Sequence, residues 1–201
     1  MMGKTHGIIG AAVGTTLIVQ NNLPFNSNCI ILFSSIIGAL LADLDHPKAF
    51  INQKLGIKNA KSKIIFYSLL GVFFVTSFYY YKLYFLIYFS VLCFLIGVSK
   101  HRAFTHSILA IVFYSLGLYY FSIYFDCKYI FTSFVLGYIS HILADMLTKQ
   151  GVELFYPLHQ NIRFPITTTT KNNSLTENCI HVLAGLYIIF AFFNKIQISL
   201  V

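Results

Sequence analysis

Seven apolar stretches, separated by short polar segments, set the pattern of this chain: residues 7–19, 29–42, 64–81, 83–99, 107–125, 129–144 and 180–193. The 64–81 and 83–99 stretches carry no charge at all. Eighteen residues of helix rise about 27 Å, close to the thickness of a bilayer core, so the middle stretches are expected to span. Residues 7–19 would rise only about 20 Å as a helix. They are joined to 29–42 by a segment holding Pro24 and several asparagines, residues that turns favour. This first hairpin is therefore expected to be tilted, re-entrant or packed inside a bundle. A membrane β-barrel needs strict apolar–polar alternation, whereas these runs are apolar all round. The pattern predicts an all-α fold, a polytopic membrane helical bundle of about six to seven apolar helices, with residues 1–201 as one domain.

Composition supports that reading. Of the 201 residues, 57% are hydrophobic and 10% charged, against about a quarter charged in soluble domains. The abundant Phe and Tyr fit core and interfacial positions. Cys29, Cys93, Cys127 and Cys179 form no CxxC pair and read as small apolar filler. No clear cleavage site follows the first apolar run, so the first helix is expected to stay on the chain.

The net charge of +8 changes the picture only through its distribution. If each stretch crosses or re-enters, the polar segments after stretches two, four and six join the N-terminus on one face. That face collects eleven of the fourteen Lys and Arg residues, and the other holds Lys82, Lys128 and Lys195. The bias places the first face in the cytoplasm. No basic recognition helix or RNA-binding strand motif is present, so direct nucleic-acid binding is not expected.

The same face, with the helix ends bordering it, holds all seven histidines and five of the six acids, and four clusters stand out there: Lys4-Thr5-His6-Gly7, Ala42-Asp43-Leu44-Asp45-His46-Pro47, His101-Arg102-Ala103-Phe104-Thr105-His106-Ser107 and His141-Ile142-Leu143-Ala144-Asp145. His141 and Asp145, four apart, share one helix face and can bind one ion. Asp43 and His46, three apart, do the same if their helix persists, although Pro47 favours an early end. Thr5 and Thr105 each precede a histidine and an apolar run and are expected as helix N-caps. The candidate metal donors are thus His6, Asp43, Asp45, His46, His101, His106, His141 and Asp145. Imidazole and carboxylate without thiolate suit Zn²⁺ first, with Mn²⁺ or Fe²⁺ as alternatives. Eight donors exceed the needs of one tetrahedral ion, so one or two ions are expected, acting on water and on a leaving oxygen. Asp45 is a candidate base or orienting group, and Arg102 a candidate phosphate clamp. His159 and His181 are read as ordinary interfacial hydrogen-bonding residues.

These motifs resemble the YdjM-like family of membrane-bound, predicted metal-dependent hydrolases, described in bacteria as LexA-regulated. The likeness continues through Leu147-Thr148-Lys149-Gln150-Gly151-Val152-Glu153-Leu154-Phe155-Tyr156-Pro157 and covers roughly residues 1–160. Ala42, Ala103 and Tyr156 depart from the proline, glycine and tryptophan common in such proteins, but none is a candidate donor. The resemblance implies a hydrolase of the bacterial inner (cytoplasmic) membrane. A more distant likeness to zinc-dependent phospholipase C and single-strand nucleases implies a phosphoester substrate, lipid or lipid-linked, reached from the bilayer. Two other readings use the same residues. An ion-coupled transporter or proton relay would place ionisable groups near the bilayer midplane, and a non-catalytic scaffold would use a closed metal or polar network.

Overall fold

The computed structural model describes residues 1–165 and 175–199, the side chains of 196–199 excepted. Within these residues eight helices follow one another: α1 (Gly3–Gln20), α2 (Phe25–Leu41), α3 (Phe50–Lys54), α4 (Ala60–Tyr81), α5 (Tyr84–Val98), α6 (Ile108–Tyr124), α7 (Lys128–Met146) and α8 (Leu175–Ser199). Two 3₁₀ turns, Ala42–Asp45 and Phe104–His106, follow α2 and precede α6. Among the described residues there is no strand, only an isolated antiparallel bridge between Val152 and Ile162. The seven long helices coincide with the seven apolar stretches. The short α3, lying between Pro47 and Gly56, has too little apolar sequence to announce itself. Lys171, one of the eleven basic-face residues, lies outside the described residues.

Among the described residues four segments are long and apolar enough to cross a bilayer: Phe25–Asp45, Ala60–Tyr81, Lys128–Met146 and Leu175–Lys195. Tyr84–Val98 and Ile108–Tyr124 are shorter apolar helices. α4 leaves Ile65, Leu69, Val72 and Phe73 exposed. In water this would be an aggregation-prone patch; in hydrocarbon it is a lipid face. Exposed Tyr79, Tyr80, Tyr81 and Tyr84 gather at the α4–α5 turn, and Tyr119, Tyr120 and Tyr124 near the end of α6, as interfacial aromatic belts do.

α2 packs on α1 and α7, α4 on α5, and α1 also on α8. The α2–α7 crossing is close because glycine faces backbone on both sides. A Cβ at Gly137 would collide with the Ser35 carbonyl, and one at Gly38 with that of Phe134. Small residues at such crossings let membrane helices gain dispersion contacts where no hydrophobic drive exists between them. The buried Ser35 hydroxyl donates to Gly10 O at 2.7 Å and ties α1 to the pair. α1 is thus packed inside the bundle, one of the outcomes expected for the first hairpin. The start of α1, the end of α2, the α5–α6 link and the end of α7 meet at one end of the molecule.

Two local expectations are corrected. Thr5 does not cap α1, which begins at Gly3 with Met2 as its N-cap; its hydroxyl instead pairs with His181 Nε2 at 3.0 Å. Thr105 does not cap α6 either. Ser107 does, accepting from Ala110 N at 3.2 Å, because it directly precedes the apolar run while the Thr105 hydroxyl satisfies a buried carboxylate.

Candidate metal centre

The site is built from imidazoles whose proton positions are set by their outer partners. His141, on the buried face of α7, places Nδ1 2.6 Å from Ala39 O. A carbonyl only accepts, so Nδ1 carries the proton and Nε2 presents a lone pair. His106, fully buried in the turn before α6, places Nδ1 3.0 Å from Thr105 Oγ1. That hydroxyl donates to Asp45 Oδ2 at 2.5 Å and can accept from His106 Nδ1–H. The Tyr138 hydroxyl donates to Thr105 O and holds the turn from behind.

Both Nε2 atoms therefore face inward, and they lie 3.1 Å apart. Two neutral imidazole lone pairs at that distance repel unless a metal ion, or a proton on His106 Nε2, sits between them. Asp43 Oδ1 lies 3.7 Å from each Nε2. Asp145 Oδ2 lies 3.5 Å from His106 and 3.9 Å from His141. One ligand atom from each of Asp43, His106, His141 and Asp145 lies within 4.8 Å of all the others. Bonds of about 2.0–2.1 Å to a four-coordinate ion put donors roughly 3.3 Å apart, so the set fits a divalent ion after a small contraction.

His6 adjoins it. Its ring stacks on His141 with centroids 3.7 Å apart, and Nε2 lies 3.2 Å from Asp145 Oδ1. It is fully buried, and apart from that approach to Asp145 neither ring nitrogen has a hydrogen-bond partner. Buried polar groups are seldom left so, and an ion beside Asp145 would give one of these nitrogens its partner. The Met1 amino group also donates to Asp145 Oδ1, at 2.7 Å.

Asp43, Asp45 and His101 form a second group sharing Asp43 with the first. The Asp45 carboxylate, 1% exposed, is already engaged. It accepts from His101 Nδ1 at 2.9 Å, Arg102 N at 3.0 Å and Thr105 Oγ1, and lies 3.6 Å from His106 Nδ1. In this arrangement Asp45 orients His101 and His106 from outside the four-donor set.

His46 stands apart. α2 gives way to the 3₁₀ turn at Ala42 and His46 is extended (φ −100°, ψ 124°), so it does not share a helix face with Asp43. Its Nδ1 accepts from Lys48 N at 3.1 Å and its ring lies 4.5 Å from that of His101. Arg102 is also turned away from the role read for it. With φ +68°, it directs NH1 to Thr148 Oγ1 at 2.7 Å and Gly151 O at 3.2 Å, with NH2 3.4 Å from Asp145 Oδ2. The guanidinium braces Asp145 rather than facing open space.

A cavity of about 720 Å³ opens on Asp43 and is lined by His46, His101, Lys4, Lys48 and His181 among others. From the sequence Lys48 reads only as a topology signal, Lys4 as the neighbour of His6 in the first cluster, and His181 as an interfacial hydrogen-bonding residue. Two further residues escaped the sequence reading. Buried Lys63 donates to Asp45 O at 2.6 Å and Ser99 O at 2.8 Å. Asn52 donates to Leu44 O at 2.9 Å and His46 O at 2.8 Å, and accepts from the Tyr67 hydroxyl. A lysine at a helix start looks like any positive-inside residue, so no signal separated Lys63. His159 pairs with Glu153 at 3.0 Å, exposed and away from the cluster.

Burial, with help from the neighbouring His101, pushes His46 below the usual histidine range. Burial pulls His106 the same way, but bonding to Asp145, Asp43 and Asp45 outweighs it and holds His106 well above that range.

These features define a class: a helical membrane protein whose helix ends enclose a His/Asp cluster able to hold a metal ion. The family model described as "YdjM inner membrane protein" matches residues 1–199, and the chain belongs to that family. The inner membrane protein YdjM of Escherichia coli (strain K12) is 35% identical over 147 residues, covering 71% of this chain and 57% of that protein. The protein of the same name from Shigella flexneri matches with the same figures. The chain thus spans little more than half the length of these two relatives. The uncharacterized protein YvsG of Bacillus subtilis (strain 168) is 26% identical over 186 residues, 92% of this chain and 89% of that protein. No solved structure matches the chain.

Proposed function

We propose that this chain is a metal-dependent hydrolase of the bacterial inner membrane, its site facing the cytoplasm and its substrate a phosphoester. The observation that carries the reading is the convergence of four donor atoms, from Asp43, His106, His141 and Asp145, within 4.8 Å of one another, with both imidazole Nδ1 atoms committed elsewhere. Zinc suits the two imidazoles and two carboxylates, and Mn²⁺ or Fe²⁺ accept the same donors. A divalent ion there would supply Lewis acidity toward a phosphoryl oxygen and toward water.

The residues divide the remaining work. His106, His141, Asp43 and Asp145 would hold the ion, with His6 as a further donor against Asp145. Asp45 and Thr105 keep His106 in the tautomer that binds. Arg102 holds Asp145 against the Thr148–Gly151 loop. Lys4 and Lys48, on the wall of the cavity that Asp43 faces, would draw in an anionic head group. The Lys and Arg bias toward this end supports the cytoplasmic orientation.

The test is turnover of a phosphoester panel, including lipid phosphates, by metal-loaded protein in detergent. Metal-dependent release, lost in His141→Ala and Asp145→Ala, is the expected result. Stoichiometric metal with no turnover would favour a structural centre. Ion-coupled transport without hydrolysis in proteoliposomes would favour the relay.

A further inference from the structure

A second cavity, of about 340 Å³, lies within the helices and has almost no polar wall. It exists because α2 packs on α1 and α7 while α4 packs on α5, leaving space between the two sets. Ile37 and Leu44 line it from α2 and the turn that follows, Tyr67 from α4, Cys93 from α5, Tyr114 from α6 and Phe134 from α7. The wall on the α2 side runs from Ser34 to Leu44, about 15 Å at helical rise. Ile37 is 48% exposed, so that side opens toward lipid, while the other five are buried.

Two observations connect this space to the metal centre. Consecutive residues of one turn face the two cavities, Asp43 the polar one and Leu44 the apolar one. The buried Tyr114 hydroxyl has no hydrogen-bond partner. Its ring lies 5.1 Å from Tyr138, whose own hydroxyl bonds Thr105 in the His106 turn. The apolar space thus ends directly behind the cluster, with one unpaired hydroxyl in its wall.

We propose that this cavity receives one hydrocarbon chain of a lipid phosphoester entering sideways past Ile37, with the phosphate toward Asp43, Lys4 and Lys48. The assignment rests on the hydrolase reading for the chemistry at the head, but the chain site stands on its own geometry. The occupant is hydrocarbon because, the Tyr114 hydroxyl apart, the wall offers a guest almost only dispersion contacts, and because three of the wall helices, α2, α4 and α7, are long and apolar enough to span the bilayer. The Tyr114 hydroxyl would meet the ester or hydroxyl oxygen that joins such a chain to its head.

The test uses full-length, zinc-loaded protein in phosphatidylcholine nanodiscs with a long-chain alkyl phosphate carrying a terminal diazirine. After irradiation, adducts are mapped by mass spectrometry. They are expected on cavity residues, and to fall roughly tenfold in Cys93→Trp, which fills the space. Ile37→Trp, at the mouth, should do the same and guards against misfolding of the first variant. Bound zinc and thermal melting serve as controls. Adducts spread over the lipid faces of α4 and α8, indifferent to both substitutions, would overturn the proposal. Selective labelling without turnover supports the chain site while removing the hydrolase reading. Equal kcat/KM for short- and long-chain esters, in parent and both variants, removes the chain site and leaves the hydrolase reading intact.

Discussion

Replacing Asp45 by asparagine tests whether this carboxylate orients the centre or belongs to it. Asp45 accepts three hydrogen bonds, from His101 Nδ1, Arg102 N and Thr105 Oγ1, at 2.9, 3.0 and 2.5 Å. Asparagine keeps the shape but loses the charge and turns one acceptor into a donor. Either His101 or the Arg102–Thr105 side then faces an amide NH₂. Hydrogen bonds to a charged acceptor contribute about 1.5–3 kcal/mol, against roughly 1 for neutral ones. The buried turn should therefore lose about 1–2 kcal/mol for each bond so weakened. The Thr105 hydroxyl would no longer be held as an acceptor for His106 Nδ1, and the tautomer that presents Nε2 would lose its preference. Losing such an outer partner typically costs about 10–100-fold in metal affinity, which is roughly 1.4–2.7 kcal/mol. Competition with a chromophoric zinc chelator at neutral pH measures this directly, with His141→Ala as the reference for a lost donor. Affinity within about twofold of the parent would refute the orienting role, since that role requires a loss of about tenfold or more. A loss as complete as that of His141→Ala would refute it from the other side and make Asp45 a direct donor.

Gly137→Ala forces a Cβ onto the Ser35 carbonyl at the α2–α7 crossing, and is expected to cost about 1–3 kcal/mol, read as a lowered unfolding midpoint in detergent. Lys63→Met leaves the carbonyls of Asp45 and Ser99 without their shared donor. It should cost about 1–3 kcal/mol in stability and weaken zinc binding, because the Asp45 turn and the α5–α6 link are then no longer tied. Arg102→Ala should lower metal affinity without abolishing it, since it frees Asp145 from its brace; complete loss of metal would contradict that role. Metal binding should release protons and weaken as pH falls. The neighbouring carboxylates raise His106, so a proton competes with the ion even above the usual histidine range, and calorimetry in buffers of different ionisation enthalpy counts the protons released.

Much of this arrangement is legible in the chain because hydrophobic periodicity and helix-end polarity are both local signals. The seven apolar stretches became the seven long helices, and the His141–Asp145 spacing placed both residues on the buried face of α7. The four clusters do converge, as parity of crossings suggested. Backbone geometry at the ends of elements was harder to read. Asp43 and His46 were separated by a 3₁₀ turn that no periodicity announces. Thr5 and Thr105 looked like caps because a hydroxyl before an apolar run usually is one. Each instead bonds a partner distant in sequence, His181 or Asp45. The direction of Arg102 depends on a positive φ and on a loop some fifty residues away, neither of which a motif encodes. Lys63 and Asn52 were invisible for the same reason: they bind carbonyls, and any residue supplies a carbonyl.

The central claim is that two imidazoles and two carboxylates at these helix ends hold a divalent ion. Zinc-edge X-ray absorption on the purified, zinc-loaded protein, paired with elemental analysis, tests it most directly. The account predicts at least about one ion per chain, nitrogen and oxygen neighbours at about 2.0–2.1 Å with imidazole scattering, and loss of that signal when His106 and His141 are both changed to alanine. Protein that retains no stoichiometric ion, or a spectrum dominated by sulfur at about 2.3 Å, would contradict it.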